Sequence, residues 1–129
     1  MKVLLSVDDS RGVLDRLYKL IGKITGVEPL IAQKRVEKIS ELLQSLCPDV
    51  LVMDLYLLDG TAMDVMNDLA FSKCKPVLII LTEQPYEDIE TRLKVAGADF
   101  VLNKSLEFEL IVKILSQLSE EERGKHIAH

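Results

Sequence analysis

Four apolar runs in this chain end in residues that can do chemistry. Val3-Leu-Leu-Ser-Val7 leads into Asp8-Asp9, and Val50-Leu-Val-Met53 leads into Asp54. Val77-Leu-Ile-Ile-Leu81 leads into Thr82, and Phe100-Val-Leu-Asn103 into Lys104. Each run reads as a buried strand, where a carboxylate is costly unless it sits at the strand's mouth, in water or against a cation. Strands of a parallel sheet point the same way, so their C-terminal ends share one edge. Three carboxylates, a hydroxyl and an ammonium then meet in one crevice, suited to a divalent cation and a phosphoryl group. Asp54 is the nucleophile candidate, since a carboxylate can attack phosphorus to give an aspartyl phosphate. Donor and acceptor in such a reaction are both anionic, and a cation together with the Lys104 ammonium offsets that. Adjacent acids such as Asp8 and Asp9 repel one another unless compensated. A hard cation such as Mg²⁺, bound through oxygen, supplies the compensation. Thr82 can donate its hydroxyl to a phosphoryl oxygen. Asp59-Gly60 is a turn signal, and its aspartate reads as structural.

Taken singly, each of these residues has a plainer explanation. Acids after a strand suit the dipole of the helix that follows, a threonine at a strand end reflects β-propensity, and a lysine before a helix is solvated. The set together is what points to a site.

The elements that must position these residues alternate along the chain. The strand at 2–7 is followed by a helix at 11–24, capped by Ser10, with Val13, Leu14, Leu17, Leu20, Ile21 and Ile24 on one face. Gly26 suits its end. A weak strand at 27–32 contains Pro29 and belongs at a sheet edge. Steps of three and four between Val36, Ile39, Leu42, Leu43 and Leu46 make 33–46 a helix that Pro48 ends. Asp49 opens the third strand, and 57–60 is a turn. Helices are expected at 61–72, 86–96 and 105–118, and the remaining strands at 77–81 and 99–102, with a loop at 83–85. Five strands alternating with five helices imply an α/β fold with a parallel sheet covered on both faces. The polar tail from Ser119 reads as solvated and frayed, or as the start of a linker.

Composition bounds the rest. The chain's 129 residues suit one domain, and 48% apolar residues are enough for a core. A net charge of −5 argues against direct nucleic-acid binding. No apolar run approaches the roughly 18 residues that span a bilayer. The first strand begins too near the N-terminus for a signal peptide to precede it, so the cytoplasm is the expected compartment. Cys47 and Cys74 have no metal-ligand spacing and are expected to be buried thiols in a reducing cytosol. His126 and His129 are expected to be exposed.

Val7-Asp8-Asp9-Ser10, Asp54-Leu-Tyr-Leu-Leu-Asp-Gly60, Leu81-Thr82 and Ala96-Gly-Ala-Asp-Phe-Val-Leu-Asn-Lys104 resemble the receiver domain of two-component response regulators. Intervals of 45, 28 and 22 residues separate Asp9, Asp54, Thr82 and Lys104, and these match the family as well. The resemblance covers residues 1–118 and implies a flavodoxin-like fold of sheet order 2-1-3-4-5, with the ligand at the switch between the first and third strands. It implies a phosphorylation-dependent switch in which Asp54 takes a phosphoryl group from a histidine kinase or histidine phosphotransfer protein. Thr82 and Lys104 would then hold the phosphoryl oxygens, while Asp8, Asp9, Asp54 and the Tyr56 carbonyl hold Mg²⁺. Such a protein catalyses its own phosphorylation and dephosphorylation rather than turning over an external substrate. The alternative is a pseudo-receiver, an interaction module that phosphate does not switch. A small flavodoxin-like enzyme or nucleotide binder is disfavoured because the chain lacks a Gly-rich phosphate loop.

The chain departs from the family at four positions. Leu58 and Ser105 replace prolines; without the second, a cis bond after Lys104 is not expected and Lys104 should be less rigidly placed. Glu83 replaces a small residue and should crowd the phosphoryl group. Val101 replaces a switching aromatic. On the last helix, Leu106, Phe108, Leu110, Ile111, Val112, Ile114, Leu115 and Leu118 spread over roughly 240° of the wheel. That is more than sheet packing needs. A dimer or partner contact is expected through this helix, the strand before it and the helix at 86–96.

Overall fold

Alternation along three central strands divides the core in two. In the computed structural model, which describes residues 1–9, 12–83 and 86–127, Val3 and Leu5 face one side of the sheet and Leu4 the other. Val50 and Val52 oppose Leu51 and Met53, and Ile79 and Leu81 oppose Leu78 and Ile80. Near-continuous apolar strands of this kind are what a parallel sheet buried on both faces requires.

The elements run β1 (Lys2–Ser6), α1 (Val13–Gly22), β2 (Glu28–Ile31), α2 (Val36–Leu46), β3 (Val50–Asp54), β4 (Tyr56–Leu57), β5 (Gly60–Thr61), α3 (Ala62–Leu69), β6 (Val77–Thr82), α4 (Glu87–Val95), β7 (Phe100–Asn103) and α5 (Phe108–Ile127). Five parallel strands form one sheet in the order β2-β1-β3-β6-β7. Counted without the short β4–β5 hairpin, this is the expected order 2-1-3-4-5. Pro29 lies on β2, at the sheet's edge as its missing N–H demands. Leu17 and Ile21 of α1 pack with Ile111, Ile114 and Leu115 of α5 on one face of the sheet. Ile39 and Leu43 of α2, Val65 and Met66 of α3, and Leu93 of α4 cover the other face.

The differences from expectation are local. Helix α2 starts three residues late, because Gln33-Lys34-Arg35 bends against the hairpin, with the Arg35 N–H donating to the Gln33 carbonyl at 2.8 Å. There the Val36 N–H donates to Asp59 Oδ1 at 2.8 Å, and the Leu58 N–H donates to the Lys34 carbonyl at 2.8 Å. Asp59 is thus structural, as its turn context suggested. Thr61 caps α3 through a capping box with Asp64. A Cβ on Gly60 would lie 2.5 Å from Asp64 Oδ2 and 3.0 Å from Val36 Cγ2, so any larger residue there must displace the capping Asp64 side chain.

Two further expectations are corrected. Helix α5 continues to Ile127 instead of fraying after Leu118. Ser119 is buried, and its hydroxyl donates to the Thr25 carbonyl at 2.8 Å. Cys47 and Cys74 are a disulfide, not thiols, with Cα atoms 5.4 Å apart. They meet because β3 and β6 are neighbours, which brings together the turns that lead into them, at the edge opposite the acids. The Ser10 cap, the helix start at Arg11, Pro85, the Phe108 and His126 side chains, and His129 lie outside what the structure describes.

Candidate functional site

Asp54 ends the most buried strand, whose five residues are all buried. Its Oδ2 receives three donors: the Asp8 backbone N–H at 2.9 Å, Lys104 Nζ at 3.1 Å and Lys34 Nζ at 2.9 Å. Its other oxygen, Oδ1, is the one buried side-chain polar atom without a hydrogen-bond partner among the described residues. A buried carboxylate oxygen left in that state is costly, and it invites a cation or a proton donor.

Parallel register brings the remaining groups to the same edge. Asp54 pairs with Leu81, one residue before Thr82, and Thr82 pairs with Asn103, one residue before Lys104. Asp8, Asp54, Thr82 and Lys104 line one cavity of about 360 Å³, together with Lys34, Tyr56 and Glu83. Asp9 is placed differently. Its Oδ1 accepts the Asp15 N–H at 3.2 Å in the first turn of α1, and Asp9 does not line the cavity.

No protein-family model and no curated protein matches the chain. Solved structures do. The receiver domain of Francisella response regulator 1452 matches with a TM-score of 0.79 at 17% identity, over 94% of this chain and 98% of that one. The signal receiver domain of a DNA-binding response regulator from Colwellia psychrerythraea 34H matches at 0.79 and 22% identity, over 93% and 98%. The receiver domain of the sensor histidine kinase PA1611 from Pseudomonas aeruginosa PAO1, which has a magnesium ion in its active-site cleft, matches at 0.74 and 15% identity, over 92% and 97%. The chain has the receiver-domain fold.

Within that fold, the departures around Lys104 compensate one another. Lys104 N–H donates to the Thr82 carbonyl at 3.0 Å. Asn103 Oδ1 accepts the Ser105 and Leu106 N–H groups at 2.9 and 2.7 Å, and Asn103 Nδ2 donates to the Glu83 carbonyl at 2.9 Å. Ser105 Oγ donates to Glu83 Oε2 at 3.0 Å. The serine that replaces proline and the long acid after Thr82 therefore bind each other. The loop is held by hydrogen bonds instead of a ring, and the described residues contain no cis peptide bond. Ser105 thus gives the Glu83 carboxylate a partner, while Glu83 still lines the cavity beside Asp54 and Lys104.

Among the described residues no three His, Cys, Asp or Glu side chains stand close enough to form a metal cluster. Mg²⁺ asks for less, since it usually takes one or two carboxylates and keeps several waters. Asp54, with its unpartnered Oδ1, and Asp8 on the same cavity wall fit that demand. Asp9 holds the Asp15 N–H through Oδ1 and lies outside the lining of this cavity.

Lys34 is the residue that sequence reasoning missed. It lies outside every strand-end motif and within a stretch whose period reads as helix. The available signal was Gln33-Lys34-Arg35, a basic segment leaving β2 at the same sheet edge as Asp8 and Asp54. Sequence reasoning also expected the acids to be unbalanced without metal. Two ammonium groups already lie on Asp54, so that carboxylate is compensated without metal.

Proposed function

We propose that this protein is a response-regulator receiver, a signalling switch phosphorylated on Asp54. The observation that carries the reading is Asp54 itself: a buried carboxylate at the sheet's switch point, held by Lys104, with an unpartnered oxygen and Thr82 on the same cavity. The donor is the phosphohistidine of a histidine kinase or phosphotransfer protein. An Asp54 oxygen bonds to phosphorus as the P–N bond to the imidazole breaks. The Lys104 ammonium and the Thr82 hydroxyl hold the phosphoryl oxygens. Asp54, Asp8 and the Tyr56 carbonyl, with Asp9 if it turns toward the cavity, would hold Mg²⁺, which supplies charge neutralisation when bound. We place the protein in the cytoplasm, where such donors reside. No helix among the described residues is long and apolar enough to cross a membrane.

The output surface proposed is α4, β7 and α5. Leu106 and Leu110 are exposed there at 84% and 39%, and a homodimer or downstream partner would cover them. Val101, where an aromatic would move on activation, is already buried in the core, so the signal leaves through the Thr82–Glu83–Ser105 link instead. One observation favours the second reading, an interaction module not switched by phosphate: Asp9 is turned away from the cavity. Incubation with a small phosphodonor decides between the two. A switch takes up phosphate with Mg²⁺ and loses that uptake in chelator, whereas a pseudo-receiver takes up none in either.

A further inference from the structure

Lys34 has no part in the reaction as described, yet its placement is built. Its ammonium lies 2.9 Å from Asp54 Oδ2, with the side chain 21% exposed. The segment that carries it is pinned on both sides. The Leu58 N–H donates to the Lys34 carbonyl at 2.8 Å, and Asp59 Oδ1 accepts the Val36 N–H at 2.8 Å, so the hairpin that follows Asp54 also fixes Lys34. Ser6 Oγ donates to the Gln33 carbonyl at 3.3 Å from the neighbouring strand. A proline at 58 could not make the first of these bonds.

We propose that Lys34 is a resident counter-cation of Asp54 that competes with the divalent cation and sets how much Mg²⁺ the site requires. The inference deepens the reading of Asp54 as a Mg²⁺-dependent phosphoacceptor and rests on it. With Lys104 already on Oδ2, Lys34 brings a second positive charge to a carboxylate that carries one negative charge. A divalent cation entering on Oδ1 meets both ammonium groups at short range, in partly desolvated surroundings where repulsion is strong. Lys104 is required for the phosphoryl group. Lys34 is the ammonium that can yield, because it is the more exposed and leaves from the β2–α2 segment without disturbing the sheet.

Calorimetric titration of MgCl₂ into the full chain tests this, with thermal melting in chelator alongside. Lys34→Met is expected to bind Mg²⁺ about tenfold more tightly than the parent, about 1.4 kcal/mol, and to melt lower in chelator. Lys34→Arg, which keeps the charge, is expected to stay near the parent in both. A merely structural lysine would lower the melting point without tightening the metal. Equal or weaker Mg²⁺ binding by Lys34→Met overturns the proposal, as does an absence of binding in both proteins. Phosphodonor labelling is read separately. Labelling of Asp54 with unchanged Mg²⁺ affinity removes the role of Lys34 and leaves the phosphoacceptor. Tightened affinity without labelling does the reverse.

Discussion

Asp54 is held by charge from two sides, which fixes the sign of its mutational effect. If the acids of the crevice were uncompensated, neutralising Asp54 would stabilise the metal-free protein. With Lys34 and Lys104 both on Oδ2, removing the carboxylate leaves two partly buried ammonium groups facing each other. Asp54→Ala is therefore expected to destabilise the protein in chelator by about 2 kcal/mol or more, seen as a lower melting temperature by differential scanning calorimetry. A rise would show that the ion pairs contribute nothing. The polar residues of the cavity, Asp8, Asp54, Thr82 and Lys104, were legible because each ends an apolar run, where a polar side chain needs a reason. Lys34 was not, because its neighbours Val36 and Ile39 extend a helical period back over it. Hydrogen bonds to the hairpin and to Ser6, between residues more than twenty apart, keep the segment out of the helix.

At the scale of elements, the β4–β5 hairpin and the β7–α5 loop set the geometry of the cavity. The hairpin is closely packed at Gly60. Gly60→Ala forces a Cβ against Asp64 and Val36 and is expected to cost about 1–3 kcal/mol, read by urea unfolding, with α3 capping weakened because Asp64 must move. Leu58→Pro removes the donor to Lys34 and is expected to tighten Mg²⁺ in the same direction as Lys34→Met, by a smaller factor. In the second loop, Asn103→Ala removes three hydrogen bonds and is expected to lower stability by about 1–3 kcal/mol and to slow phosphate uptake through Lys104. The five strands of the main sheet followed from apolar patterning, with boundaries within two residues of expectation, whereas their order came from the family resemblance and the β4–β5 hairpin was read only as a turn. The loop networks were hidden because side-chain to backbone bonds leave no period in a sequence. Ser105 and Glu83 looked like two defects until the fold placed one against the other.

Over the whole molecule, the chemistry and the disulfide occupy opposite edges of the sheet. The Cys47–Cys74 link closes a separation of 27 residues, worth about 3.5 kcal/mol by the chain-entropy relation. Reduction is expected to lower the melting temperature while phosphodonor labelling stays unchanged. Its formation could not be read from two cysteines without a framework, since their meeting depends on β3 lying beside β6. On the output face, sedimentation with and without phosphodonor is expected to show association that Leu110→Glu abolishes. A strict monomer in both states would leave the exposed Leu106–Leu110 surface to another partner.

The account stands on one carboxylate, and intact-protein mass after incubation with Mg²⁺ and a small phosphodonor tests it most directly. The parent is predicted to gain the mass of a single phosphoryl group, and Asp54→Asn, folded by circular dichroism, none. An Asp54→Asn protein that labels as the parent does, or a parent that never labels, would contradict it.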